Sequence, residues 1–271
     1  MTPLANPASR GGGGPGTSPP RVPPATLARV FWRCLFLQAA WNRRGMQNLG
    51  FAYAIDPALR ALYPAAGARE EALRRHLGFF NCHPYMAAAV LGGAIHHEER
   101  VAAGAEPGGQ PLQYKQTLQG PLAALGDGFF WTALRPFFGA VAALGALLAG
   151  WPAIVGAIVV YNVIHLALRI RLFRAGYERG DGVVGEVARL ELPVVAGRLR
   201  AAGALLTGVA GALVLLPAVH AGAAAVFTAV TVTAVGYLLL SRGVHLLRAA
   251  YAAALVGAGV ALVAARLHWS P

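Results

Sequence analysis

The 271 residues are 56% hydrophobic and only 13% charged, with a mean hydropathy of +0.53. Soluble domains carry about 25% charged residues, so a chain this rich in Ala, Leu, Val and Gly reads as an all-α integral membrane protein. Its net charge of +12 comes from 23 basic against 11 acidic residues; basic residues at the cytoplasmic ends of membrane segments account for it, which makes membrane lipid the expected partner and nucleic acid not.

Residues 1–25 form a Gly/Pro-rich tail with no apolar run. It is expected to be disordered, cytoplasmic and not a signal peptide. Residues 26–83 read as amphipathic arm helices. Leu27, Val30, Phe31, Cys34 and Leu35 recur at helical spacing, but Arg29, Arg33, Arg43, Arg44 and Arg60 interrupt the pattern too often for a span. The Asp56-Pro57 step is expected to break this helix, and Tyr63-Pro64 to end the region.

Residues 84–150 read as re-entrant or broken apolar segments. The run from 84 to 97 is too short for the roughly 20 residues that cross hydrocarbon. Opened by Pro84 and loosened by Gly92-Gly93, it suggests a re-entrant hairpin or a buried half-helix. Gly120-Pro121, Gly126 and Gly128 punctuate a second such unit, "GPLAALGDGFFW". Paired broken segments of this kind point to a transporter's binding site. Residues 151–271 hold the clearer spans, at 151–168, 201–219, 223–240 and 245–265, for about four to five transmembrane helices in all. Seven arginines place the 169–200 loop in the cytoplasm. By the same rule 217–222 is external, 241–244 cytoplasmic and the C-terminus external, with Arg266 running against the pattern.

Four of the eight histidines fall in "RRHLGFFNCHPYMAAAVLGGAIHHEE", residues 74–99. Metal ligands must converge on one tetrahedron, and the spacings here are not those of zinc sites. Adjacent His96 and His97 cannot share a helix face, so no metal or other cofactor is expected, and "HHEE" reads as the wet end of a short helix. Cys34 and Cys82 make no disulfide framework. Asn81 and His83 flank the mouth of the apolar segment beside an aromatic pair. Amides beside aromatic faces suit sugar hydroxyls and C–H faces, and helix capping by Asn81 is an equal reading. Asp127 is either a functional ionisable group in an apolar segment or an interfacial cap. Arg135, eight residues on, is about 12 Å away along a straight helix. Asn42 and Gln47, interleaved with aromatics, fit either sugar contacts or helix–helix hydrogen bonds.

Four blocks in order, "FLQAAWNRRGMQNLGFAYAIDPALRALYP", "RRHLGFFNCHPYMAAAVLGG…EE", "GPLAALGDGFFWTALRP" and "YNVIHLALRIRLFRAGYERG", resemble the IID membrane subunit of the mannose/fructose/sorbose-type phosphotransferase system. The resemblance covers about residues 31 to 180. It implies a multi-pass subunit of the bacterial inner membrane. That subunit pairs with a homologous IIC subunit, in a trimer of IIC–IID pairs, to form the path of a hexose-type sugar. Soluble IIA and IIB proteins would carry the phosphoryl groups and supply the phosphoenolpyruvate-dependent chemistry, so this chain would be no enzyme on its own and none of its histidines need be phosphorylated. Carried onto the matching positions, the residues nearest the sugar are Asn81, His83 and Asp127, then Asn42 and Gln47. Trp41, Asn48, Glu98, Glu99, Lys115 and Trp131 are further matching positions.

The departures are His96 and His97, where the family is apolar, Cys82 where Thr is usual, the atypical tail, and a match that fades after residue 180. They allow an alternative, a divergent scaffold or regulatory subunit that transports nothing.

Overall fold

The structure is a computed structural model that describes residues 20–220 and the single positions 230, 234, 255 and 259. Most of the tail, the expected spans at 223–240 and 245–265, the 241–244 loop and Arg266 lie outside the described residues. The regular elements of the described chain are all helical: α1 (Pro24–Cys34), α2 (Asn48–Leu62), α3 (Ala66–His76), α4 (Ala87–Ala102), α5 (Gln110–Gly126), a π-helical segment (Asp127–Leu134), α6 (Arg135–Ala149), α7 (Trp151–Arg179), a short 3-10 turn, α8 (Val183–Arg189) and α9 (Leu192–His220). Two helical stretches, Gln110–Ala149 and Trp151–Val214, are long and apolar enough to cross a membrane. The glycines expected to break the 120–131 unit instead lie in the first of these, whose pitch changes at the π segment.

The chain forms two compact units. The second holds, among the described residues, 136–159 and 199–220. There, Gly150 takes a φ of +76°, a left-handed conformation that glycine adopts freely, and joins α6 to α7. Leu147, Leu148, Trp151, Ile154 and Val155 point outward, as they would toward lipid rather than water.

The first unit comprises residues up to 135 together with 160–198. Pro24 opens α1 at a first-turn position where its missing N–H costs nothing, and the Val30 and Cys34 face is buried. Contrary to the expected break, α2 runs through Pro57. A helical proline removes the bond to the carbonyl four residues back, here that of Tyr53. The Arg33 side chain donates to that carbonyl at 3.0 Å. Arg33 and Arg60 also pair with Asp56, at 3.4 and 3.0 Å.

Helix α4 is the buried axis of this unit. Ala87 to Ile95 are all buried, so the short apolar run forms a buried half-helix. Gly92 and Gly93 do not loosen it; they let its neighbours close in. A Cβ on Gly92 would strike the Phe173 carbonyl on α7, and one on Gly93 the Tyr114 ring on α5. Gly176 answers from α7, where a Cβ would strike the Ala89 carbonyl.

The end of α4 is not wet. His97 is only 3% exposed, and its Nδ1 lies 2.8 Å from Glu106, which also receives Arg100. His96 Nδ1 bonds the Tyr177 carbonyl at 2.9 Å. Glu98 is fully buried. Its carboxylate accepts from Arg75 Nε at 2.8 Å and Nη2 at 3.1 Å, His76 Nε2 at 2.8 Å and the Tyr63 hydroxyl at 2.7 Å. Glu99 accepts from the Val22 N–H and the Tyr177 hydroxyl, both at 2.7 Å. The turn at Glu98-Glu99 therefore ties together α2, α3, α7 and the chain before α1. Lys115, also buried, donates to the His76 carbonyl at 3.1 Å and faces the Phe51 ring at 5.0 Å.

Burial pushes the Glu98 carboxyl up, but its four donors hold it below its ordinary value and ionised. Burial drives His76 down, and with Arg75 supplying the counter-charge it stays neutral and donates Nε2–H. Removing one partner of such a pair strands the other charge. Glu98→Ala should cost about 3–5 kcal/mol, seen as loss of monodisperse protein in size-exclusion chromatography. Gly92→Ala should lower the Tm in detergent, whereas Gly67→Ala on α3, where a Cβ meets nothing, should not.

Candidate functional site

The turn from Asn42 to Met46 and the segment 80–83 build the site's floor. Asn42 and Met46 exchange backbone bonds at 3.0 and 2.9 Å, and the Asn42 side chain accepts the N–H groups of Arg44 and Gly45. Met46 is held at a φ of +57°, a conformation that costs a non-glycine residue about 1–3 kcal/mol and persists where its surroundings fix it. Gln47 is 2% exposed and wholly engaged. Its Nε2 donates to the Cys82 carbonyl at 2.8 Å and its Oε1 accepts the Cys82 N–H at 3.0 Å. Asn42 Nδ2 donates to Asn48 at 2.9 Å, and Asn48 Nδ2 to the Leu77 carbonyl at 2.6 Å. These amides, expected among the sugar contacts, clamp backbone: Gln47 has no hydrogen-bonding atom left over, and Asn42 is occupied by its own turn.

Asn81 is exposed. Its backbone N–H donates to Gln119 Oε1 at 3.1 Å, and α4 begins six residues later with no side-chain cap, so Asn81 does not cap it. His83, two residues on, is 2% exposed. Its ring stacks on Phe130 at 4.7 Å and 13° and lies against Trp131 at 4.8 Å and Tyr85 at 5.0 Å. Gly126 makes room for it, since a Cβ there would strike the His83 ring. His83 Nδ1 accepts the Tyr85 N–H at 3.2 Å. The neutral ring must then carry its proton on Nε2, and that buried atom has no partner. Burial, and secondarily the Arg169 guanidinium, push His83 down to about 4.

Asp127 is exposed at the start of the π segment, beside Gly126. Arg135 does not pair with it but lies over the Trp131 ring at 4.6 Å. The structure thus packs the His83 ring on Gly126, the chain neighbour of exposed Asp127, sets Asn81 beside α5, and leaves Asn42 in its own turn.

Sequence reasoning missed the far wall. Tyr161, His165 and Arg169 recur every four residues on α7. Tyr85 stacks on His165 at 4.3 Å and 18°, its hydroxyl lies 3.4 Å from that of Tyr161, and Arg169 sits 5.7 Å from its ring. Arg169 is buried, donates to the Cys34 carbonyl at 2.5 Å, and leaves its Nε without a partner, as is His165 Nδ1. The signal was present in "YNVIHLALR", as polar residues at helical spacing inside an apolar run. Three unpartnered polar nitrogens around one tyrosine ring suit a hydroxyl-rich ligand or ordered water. Among the described residues no three His, Cys, Asp or Glu side chains converge as metal ligands.

The profile of the mannose/fructose/sorbose family IID component of the phosphotransferase system matches residues 21–251. The chain belongs to the IID family. It is 39% identical over 176 residues to the mannose-specific EIID component of Escherichia coli K12, covering 63% of this chain and 61% of that one. The fructose permease IID component of Bacillus subtilis is 33% identical over 172 residues, 62% of each chain. The sorbose-specific EIID component of Klebsiella pneumoniae is 34% identical over 171 residues, 62% of this chain and 61% of that one. The chain thus spans about six-tenths of the length of the curated relatives it matches. Among solved structures, the mannose transporter ManYZ in complex with microcin E492 matches with a TM-score of 0.57 at 34% identity over 70% of each chain. A further membrane-protein structure matches with a TM-score of 0.61, also at 34% identity over 70% of each chain. The all-α membrane fold read from the sequence of this IID protein therefore stands.

A histidine buried neutral destabilises the fold once the unfolded chain can take up a proton. The His83 contribution is present above its ordinary value of 6.5 and is lost as pH falls toward about 4. His83→Phe keeps the ring stack and removes the titration. Between pH 7.5 and 5 the native protein should lose about 2–4 °C more in Tm than the variant, measured by differential scanning fluorimetry.

Proposed function

We propose that this IID protein is the membrane subunit of a phosphoenolpyruvate-dependent sugar permease of the mannose/fructose/sorbose type. In this reading it forms the sugar path with a homologous IIC subunit in the bacterial inner membrane, as a trimer of IIC–IID pairs. IIA and IIB carry the phosphoryl groups, so the chain binds and conducts without catalysing transfer. Family membership supports the reading, and one observation carries it on this chain: buried His83, boxed by Phe130, Trp131 and Tyr85, holds an unpartnered Nε2–H, with Asn81 two residues before it in the chain and Asp127 next to the Gly126 on which its ring packs.

A sugar needs this mixture. Its C–H faces pack on aromatic rings and its hydroxyls need oriented donors and acceptors. His83 Nε2–H is a donor, Asp127 an acceptor and Asn81 both. The clamp of Gln47 on Cys82 holds the backbone that sets the His83 ring, which makes Gln47 a positioning residue. The sugar itself would be a hexose-type substrate whose identity is read partly by the IIC subunit.

Co-expression with IIC, IIA and IIB should give phosphoenolpyruvate-dependent uptake of labelled hexose. Losing a hydrogen bond costs about 1 kcal/mol or more, so Asn81→Ala and Asp127→Ala should each reduce uptake at low sugar by about tenfold, with normal membrane levels. Native rates in both variants would remove these residues from the path.

A further inference from the structure

The groove between α1 and α7 lies in the first unit, apart from the His83 box. It encloses about 400 Å³, within the roughly 300–1,000 Å³ of small-molecule sites. Its apolar floor is Leu27 and Phe31 of α1 with Ile170 and Phe173 of α7, fixed by the edge contact of the Phe31 and Phe173 rings at 5.5 Å. Toward the C-terminal end of α7 the lining turns polar, at Arg174 and Glu178. The apolar floor opens onto the outward face of α7, where Val163, Leu166 and Ile170 are exposed.

Arg174 and Glu178 are both exposed, four residues apart on one face, and yet unpaired. Neither makes an ion pair or hydrogen bond among the described residues, while the other arginines nearby do: Arg171 and Arg179 both bind Glu186, at 2.8 and 2.5 Å. A cation preceding an anion by four positions is the less favourable order for a helix pair, which leaves both charges open to a ligand.

We propose that this groove is a phospholipid site selective for a zwitterionic, primary-amine headgroup. The lipid's phosphate lies on Arg174, its ammonium donates to Glu178, and one acyl chain fills the floor between Leu27, Phe31, Ile170 and Phe173. Charge complementarity selects this occupant. A purely anionic headgroup meets Glu178 as a like charge, and a quaternary amine has no N–H to donate to it. The basic run of α7 would place the headgroup at the cytoplasmic leaflet, with the apolar floor deeper in the hydrocarbon.

The test is native mass spectrometry of the full-length chain with its IIC partner, released from nanodiscs holding equal amounts of phosphatidylethanolamine, phosphatidylcholine and phosphatidylglycerol. The native complex should retain phosphatidylethanolamine over each of the others by about threefold or more, the factor expected of an exposed charge contact. Glu178→Gln should erase the preference over phosphatidylcholine while keeping lipid bound. Arg174→Gln should lower retention of all three. Equal retention by the native complex would overturn the headgroup assignment without the aid of any variant. Bismaleimide cross-linking of Leu27→Cys to cysteines placed along IIC would overturn the lipid assignment, since the groove would then be covered by protein.

Discussion

The buried carboxylate of Glu98 is the constraint on which the first unit rests. An ionised group at zero exposure is tolerable only when every lone pair is used and a counter-charge is near. Arg75, His76 and Tyr63 provide this from α3 and from the end of α2. Two helices must therefore dock on α4 before its charge can be buried, and α4 must be in place before Arg75 can leave water. Glu99, one residue on, extends the same logic to Val22 and Tyr177. A polar knot of this kind adds little net stability over an apolar core. It does fix register: helices rich in alanine and glycine can slide against one another, but four converging donors permit one arrangement.

Small residues complete what the knot begins. Gly92 and Gly176 let α4 and α7 approach until backbone meets backbone, and Gly126 lets the His83 ring reach the α5–π junction. The π segment from Asp127 to Leu134 turns Phe130 and Trp131 toward His83. Such segments are uncommon and occur disproportionately at functional sites. The aromatic box is thus a product of close packing and altered pitch together.

The site differs in kind from the knot. In the knot, both carboxylate oxygens of Glu98 are engaged, although His76 Nδ1 has no partner. Around Tyr85, by contrast, His83 Nε2, His165 Nδ1 and Arg169 Nε have none. Unsatisfied buried nitrogens cost stability, and of the five among the described residues three gather around this one ring, the others being His76 Nδ1 and His97 Nε2. Asn42 and Gln47 fall on the other side of this division. Their amides are spent on the turn and on Cys82, and they hold the floor.

The sequence by itself determined the class of the molecule. Low charge, long apolar runs and arginine-rich boundaries admit an all-α membrane protein and little else, because the hydrocarbon leaves backbone polar groups no other partner. Four ordered blocks carried the family, and "FFNCHP" marked His83 and Asn81 as candidates. Tertiary structure alone decided which polar residues are free and which are spent. "HHEE" reads as a solvated helix end because charge usually seeks water, and only the partners brought by α2, α3 and α7 reveal that Glu98 is buried. Gln47 reads as a ligand because amides bind sugars, and only the nearness of Cys82, 35 residues away in the chain, shows that it is a clamp. Helix continuity through Pro57 likewise depends on Arg33, which reaches the orphaned carbonyl from another helix. In each case the deciding partner is distant in sequence, and local spacing holds no record of it.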